Sequence, residues 1–122
     1  MNNRLQTYKK VNINTMNRGK IVVILYNGGI TFLKKAKIAM NEKDYFQKGK
    51  FIQKALDIVN ELNVSLDMEK GEDVAKNLRN IYLFLNRYLN KASIKNDPKM
   101  LDDVIEIFSS LKSAFEEIIS RP

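Results

Sequence analysis

The chain contains no cysteine and no histidine, and it has no tryptophan and only two prolines among its 122 residues. Without cysteine, the protein can form neither a disulfide nor a thiolate nucleophile. Without histidine, it lacks the side chain that most often serves as a general base or metal ligand near neutral pH. No apolar run reaches the roughly 20 residues that a membrane-spanning helix needs. These absences exclude the commonest catalytic and metal sites and favour a single soluble domain with one continuous core.

Positive charge is concentrated in the first half of the chain. Residues 1–54 contain twelve Lys or Arg against two acidic residues, a balance of +10, whereas residues 55–122 contain nine against twelve, a balance of −3. Such asymmetry indicates either charge matching between the halves or a basic surface for an acidic partner. The candidate basic patch consists of Lys34, Lys35, Lys37, Lys43, Lys48 and Lys50. Because it contains no arginine and no aromatic stacking platform, a solvated lysine-rich face is a better interpretation than a nucleic-acid site.

The most apolar stretch is Ile21–Ala36, which reads IVVILYNGGITFLKKA. In isolation it has the pattern of a β-hairpin, with β-branched and aromatic residues on both sides of an Asn-Gly turn. A signal peptide is a weaker interpretation, because Asn27-Gly28-Gly29 interrupts the run and lysines stand where small residues should precede a cleavage site. Apolar residues also recur at three- and four-residue spacing from Val22 to Met40. We predict a helix, since a lone hairpin would have no sheet to join.

Apolar spacing and capping residues predict four helices, over residues 17–41, 44–67, 72–93 and 98–120. Asn17 and Asp44 are suitable N-caps, and Asp97-Pro98 is an N-cap followed by proline at the first helical position. Residues 1–16 show no sustained apolar stripe and are predicted to form an extended N-terminal arm. Four such helices joined by short loops predict an all-α, antiparallel up-down-up-down four-helix bundle.

The acidic residues do not indicate a catalytic or metal site. Most of them fall between the apolar stripe positions, and a di-metal site in a bundle would need inward-facing Glu-x-x-His pairs. No serine lies in a nucleophile-elbow context, and Asn-Gly-Gly is not a phosphate-binding loop. We therefore predict a protein that is not an enzyme and that needs no cofactor.

Several short motifs follow one another in order along the chain. Tyr8 and Thr15 precede the segment Leu-Tyr-Asn-Gly-Gly-Ile-Thr-Phe-Leu-Lys-Lys-Ala at residues 25–36. Further motifs are Glu-Leu-Asn-Val-Ser-Leu-Asp at residues 61–67, Gly71, Asn77-Leu78, Tyr82, and Asn96-Asp97 with Leu101 and Val104. Their order and spacing resemble the FliS family of flagellin export chaperones over nearly the whole chain. Asn27, Gly29 and Phe115 stand where the family usually has Asp, Ala and Trp.

The resemblance implies a cytoplasmic, non-enzymatic chaperone of the flagellar type III export pathway. Such a protein binds the C-terminal segment of flagellin, which folds on binding, and prevents its polymerisation before export. Other flagellar regulatory or export proteins are further candidate partners, and the free chain is expected to be a monomer or a weak dimer. Two alternatives belong to other classes: a small basic helical nucleic-acid-binding protein, and a structural bundle that self-associates through its first helix.

Seven residues are candidates for binding the client or docking the arm. The resemblance supplies Tyr8, Thr15, Leu25, Tyr26 and Gly28, and the extra apolar width of the first helix adds Ile21 and Ile24. For Leu25 and Gly28, core packing is an equally good interpretation, and Tyr8 can also be read as a surface tyrosine. Part of this helix is expected to be covered by the arm or the client. Complete burial of Tyr26 among the other helices would contradict its binding role.

Overall fold

The computed structural model describes the backbone of residues 3–121 and the side chains of residues 18–121. Its helices are α1 (Asn3–Asn41), α2 (Tyr45–Val64), α3 (Glu72–Lys95) and α4 (Pro98–Ser120). Helix α1 packs against α2 and α4, and α3 packs against the same two helices, so α1 and α3 lie diagonally across the bundle. Because consecutive helices are joined by short loops, neighbours run antiparallel. The predicted all-α, up-down-up-down four-helix bundle is confirmed.

The apolar stretch Ile21–Ala36 is entirely helical, so the helix prediction is confirmed and the hairpin alternative is wrong. Tyr26 and Leu33 from this stretch are completely buried in the core. Gly29 has a packing role, because a Cβ atom there would lie 2.6 Å from Cε2 of Phe108 on α4. The glycine therefore lets α1 and the Phe108 ring approach more closely than an alanine would. This packing compensates for the roughly 2 kcal/mol of helix propensity that two adjacent glycines cost.

The N-terminal part of α1 corrects one prediction. Residues 1–16 were expected to form an extended arm with Asn17 as the N-cap, but the backbone is helical from Asn3. The prediction relied on the absence of an apolar stripe. However, no glycine or proline interrupts residues 3–17, which include the helix-favouring residues Arg, Leu, Gln and Lys. Extending a helix that has already nucleated costs much less than starting one, so this segment can continue α1 without a stripe of its own.

The caps of the other helices explain where they begin and end. Asp44 accepts a hydrogen bond from the backbone N–H of Gln47 at 3.2 Å, and Asp97 accepts one from the N–H of Lys99 at 3.0 Å. Helix α4 has the predicted bounds, whereas α2 ends at Val64, three residues before the predicted end. Helix α3 continues two residues further than predicted and stops at Asn96, whose φ of 52° is left-handed and ends a helix.

The core contains side chains from all four helices. The largest that are fully buried are Tyr26, Tyr82, Phe108, Leu33, Leu62, Leu85, Leu89, Leu101, Val59 and Val104. Across residues 3–121, no helix is long and apolar enough to cross a membrane.

Candidate functional site

One end of the bundle has an apolar groove to which all four helices contribute. We call this end of the bundle the open end. Here the part of α1 around Arg18 and Val22 meets the end of α2, the start of α3 and the last turns of α4. The groove has a volume of about 420 Å³. Its apolar side chains are Val22, Leu62, Leu66, Val74, Ala75, Leu78 and Phe115, and Arg18, Asp67 and Lys70 provide charged groups.

The turn between α2 and α3 supports the groove and requires glycine at position 71. The N–H of Gly71 donates a hydrogen bond of 2.8 Å to the carbonyl of Asp67. A Cβ atom at this position would lie 2.6 Å from the Cβ of Ala75. The same Cβ atom would lie 2.8 Å from the carbonyl oxygen of Asp67, so any larger residue would force the turn or the first turn of α3 to shift. The glycine keeps Leu66 and Val74, on either side of the turn, in the same groove.

A second apolar crevice lies on the other side of α1, between α1 and α4. Val23 and Ile24 from α1 line it together with Ile119 from α4. Ile24 is 65% exposed and Ile21 is 53% exposed, so two neighbouring isoleucines of α1 present apolar surface to solvent. Because Val22 faces the groove while Val23 and Ile24 face the crevice, α1 presents apolar surface on both of its sides at the open end.

Tyr26 does not belong to this exposed surface. Its side chain is completely buried, its hydroxyl group lies 2.5 Å from that of Tyr82, and its ring centroid is 5.8 Å from those of Phe108 and Phe115. Burial, together with the Tyr82 hydroxyl, raises the pKa of Tyr26 far above the usual range, so the phenol stays neutral. The prediction that Tyr26 contacts a partner is wrong for this conformation. Instead, Tyr26 supports Tyr82 and Phe115, which line the groove.

The other candidates divide into three groups. Leu25 is half-buried against the core, and Gly28 faces α2, where an added Cβ would lie 3.3 Å from Cδ1 of Ile58. For both residues the structure favours the core-packing interpretation. Ile21 and Ile24 lie together in solvent at the open end. The side chains of Tyr8 and Thr15 lie outside the described residues.

Sequence reasoning missed the part of the groove that comes from α2, α3 and α4. By their three- and four-residue spacing, Leu66, Val74, Leu78 and Phe115 belong to apolar stripes of three separate helices, and such stripes predict burial. Val74 is nevertheless 67% exposed, because the stripes run to the end of the bundle, where no other described side chain covers them. The sequence feature that could have indicated this part of the groove is the pair of apolar residues Leu66 and Val74, which stand on either side of the turn that contains Gly71.

The six lysines of the predicted basic patch do not all present a free charge to solvent. Lys37 forms an ion pair with Asp102 at 2.9 Å. Lys48 is buried and donates hydrogen bonds to the carbonyl of Ser93 at 3.0 Å and to Oδ1 of Asn96 at 2.6 Å, at the C-terminal end of α3. Two of the six lysines thus form ion pairs or hydrogen bonds within the chain. Among the described side chains, no group of three or more carboxylates is placed to hold a metal ion.

The chain also matches known proteins along its length. The sequence profile of the family described as "Flagellar protein FliS" matches residues 1–122. The flagellar secretion chaperone FliS of Vibrio cholerae is 43% identical over 122 residues, covering 97% of this chain and 90% of that protein. The protein of the same name from Salmonella typhimurium is 30% identical, covering 81% of this chain and 74% of its own length. The one from Bacillus subtilis is 29% identical, covering 96% of this chain and 86% of its own length. The chain therefore belongs to the FliS family of flagellar secretion chaperones.

Proposed function

We propose that this protein is a cytoplasmic export chaperone that binds the C-terminal segment of flagellin and prevents its polymerisation before export. Membership of a family of flagellar secretion chaperones supports the chaperone class. The observation that carries the finer proposal is the open end, where an apolar groove and an apolar crevice lie on two sides of α1. Exposed apolar depressions of this kind are typical of a protein-binding site.

The open end fits a client that folds as it binds. A disordered segment can place successive apolar side chains in the groove and then in the crevice, with α1 between them. Each buried apolar side chain contributes about 25 cal/mol for every Å² removed from water, whereas ordering the segment costs free energy. Several anchoring side chains are therefore needed, and the two apolar depressions provide room for more than one.

Binding in this way accounts for inhibition of polymerisation. The apolar side chains that would pair with other flagellin subunits are covered by Val22, Leu66, Val74 and Phe115 on one side of α1 and by Ile24 on the other. The contacts are largely aliphatic, so release requires no covalent step and the function needs no catalytic group. Affinity should therefore change little with salt concentration, unlike binding to a phosphate backbone.

The proposal is tested by mixing the protein with flagellin from the same organism and measuring the molar mass of the eluted species by light scattering. A one-to-one complex is expected, and flagellin without its C-terminal segment should give none. Elution of the two proteins as separate species at micromolar concentration would contradict the proposal.

The two other classes of function give different results. A nucleic-acid-binding protein would bind an oligonucleotide with an affinity that falls steeply with salt, and it would not bind flagellin. A self-associating bundle would show concentration-dependent sedimentation without any partner.

A further inference from the structure

The side of α3 that points away from the core carries basic and apolar side chains in one line. This line is formed by Lys76, Leu83, Arg87 and Ile94. Their spacing of seven, four and seven residues places them within about 40° of one another around the helix axis, over a length of about 27 Å. All four are exposed, whereas Leu85, on the opposite side of α3, is completely buried. We call these four residues the outer line of α3.

The charge on this side of α3 has one sign. Residues 74–95 contain no Asp or Glu, and their five basic residues are Lys76, Arg79, Arg87, Lys91 and Lys95. All five are exposed, and none of them forms an ion pair with another described side chain. The acidic residues of α3 are confined to its first turn. Beyond that turn, the helix therefore presents positive charge that the described part of the chain does not neutralise.

The neighbouring helices border this surface in two different ways. On the α2 side, Oδ1 of Asn60 accepts a hydrogen bond of 3.2 Å from the side-chain amide of Asn86, so this contact is uncharged. On the α4 side, the Tyr88 hydroxyl group donates a hydrogen bond to the carboxylate of Asp103. Tyr88 lies about 120° around α3 from Ile94. A carboxylate thus borders the α4 side of the surface and lies off the outer line.

Two apolar side chains lie between the cations of the outer line. Ile94 is 83% exposed and Leu83 is 42% exposed. Apolar side chains interspersed with lysine and arginine are typical of helices that lie in the surface of a bilayer, where the apolar groups enter the acyl boundary and the cations reach the lipid phosphates. The outermost line of one helix is convex, so a flat surface can contact its whole length, whereas a peptide helix binds in a groove.

We propose that the outer face of α3 binds reversibly to the surface of a bilayer that contains anionic phospholipids. Lys76 and Arg87 contact lipid phosphates, and Leu83 and Ile94 enter the boundary between headgroups and acyl chains. Each basic residue close to such a surface strengthens binding about fivefold. In a family of secretion chaperones, this contact places the bound client at a membrane. The inference does not depend on the client's being flagellin.

A nucleic acid is the other polyanion that could attract these cations. Leu83 and Ile94 occupy two of the four positions on the outer line, and they gain nothing from contact with a phosphate backbone. The exposed ring nearest to the line in sequence is Phe84, which stacks on Tyr88 with ring centroids 5.2 Å apart. One face of that ring is therefore unavailable for stacking on a base. A bilayer uses both the cations and the aliphatic side chains.

The test is sedimentation of the full chain with vesicles made of equal parts phosphatidylglycerol and phosphatidylcholine, and with vesicles of phosphatidylcholine alone. The chain should bind the anionic vesicles, and much less the neutral ones, with an affinity that falls as salt is added. The double variant Lys76→Glu, Arg87→Glu should weaken binding at least about tenfold. The control Lys34→Glu, Lys35→Glu has the same net charge but lies on α1, diagonally across the bundle, and should stay within about twofold of the unchanged chain.

A second readout reports insertion of the apolar side chains. The chain contains no tryptophan, so Ile94→Trp introduces a single fluorophore on the outer line. Its emission should shift to shorter wavelength with anionic vesicles, whereas that of Ile38→Trp, at an exposed position on α1, should not.

Equal weakening by both double variants, equal binding to neutral vesicles, or no emission shift in Ile94→Trp would overturn the proposal. Tighter binding of a DNA oligonucleotide than of anionic vesicles, lost in Lys76→Glu, Arg87→Glu, would overturn it in favour of a nucleic acid. Vesicle binding is measured without flagellin, so failure here is distinguishable from failure of the proposed function.

Discussion

The hydroxyl groups of Tyr26 on α1 and Tyr82 on α3 lie 2.5 Å apart in the centre of the bundle. These two helices are diagonal to each other, so this hydrogen bond crosses the core between helices that do not pack directly. It pairs two buried hydroxyl groups, and it also joins the core to the groove at the open end, which Tyr82 lines.

Removing either hydroxyl group alone should destabilise the protein at least as much as removing both. Tyr26→Phe and Tyr82→Phe should each lower the free energy of unfolding by about 1–3 kcal/mol, because each leaves a buried hydroxyl group without its partner. The double variant should cost no more than the worse single variant. Urea unfolding measures the three values, with the exposed Tyr45→Phe as a control that should stay within about 0.5 kcal/mol of the unchanged chain. Additive losses in the double variant would contradict the pairing.

The same pair predicts a loss of stability at alkaline pH. Burial raises the pKa values of Tyr26 and Tyr82 above the ordinary value of 10.0. Above that pH the unfolded chain loses these protons before the folded chain does. Their contribution is therefore complete below pH 10 and declines as the pH rises, by up to about 1.4 kcal/mol per pH unit for each tyrosine.

The alkaline effect is measured as a difference between two proteins. The unfolding free energies of the unchanged chain and of Tyr26→Phe, Tyr82→Phe should converge as the pH increases above 10, since lysine titration is common to both. Parallel curves would show that the two phenols titrate normally.

Gly29→Ala and Gly49→Ala should change the stability of the protein in opposite directions. An added Cβ at position 29 meets the buried ring of Phe108, whereas one at position 49 meets no atom within 4 Å. Gly49→Ala should stabilise the protein by about 0.5–1 kcal/mol through helix propensity. Gly29→Ala gains the same propensity but should be destabilising by about 1 kcal/mol overall, because overpacking a core costs about 1–3 kcal/mol. Thermal unfolding measures both, and equal stabilisation would show that Phe108 moves aside freely.

Lys48→Met should destabilise the end of α3. Lys48 donates to the carbonyl of Ser93 and to Oδ1 of Asn96, and the substitution removes both bonds. We expect a loss of about 1–2 kcal/mol and faster amide exchange in the last turn of α3. The matched control is Lys50→Met on the exposed side of the same helix, which should change stability by less than about 0.5 kcal/mol. Similar losses in both variants would contradict the role of Lys48.

The sequence predicts local features well where a local cause exists. The bounds of α4 follow from Asp97-Pro98 and a regular apolar stripe. The helical N-terminal part of α1 was missed because helix propensity alone carries it, without a stripe to mark it. The burial of Tyr26 was missed because its partner, Tyr82, is 56 residues away in sequence.

The open end was also beyond local reasoning. A stripe shows that Leu66, Val74 and Phe115 are apolar, but not whether another element covers them. Coverage depends on where each helix ends relative to its neighbours, and that is settled by the packing of all four helices. Ile21 and Ile24 could be proposed from the sequence because they widen the apolar face of a single helix, which is visible in one segment of sequence.

Calorimetric titration with the C-terminal segment of flagellin shows whether the open end holds the client. Ile24→Asp and Val74→Asp place a carboxylate at exposed positions on the two sides of α1. Ile94→Asp makes the same change at a position on α3 that is 83% exposed and away from the open end. The proposed function predicts that the first two variants weaken binding at least about tenfold, or 1.4 kcal/mol, while Ile94→Asp binds normally. Unchanged affinity in Ile24→Asp and Val74→Asp, or an equal loss in all three variants, would contradict it.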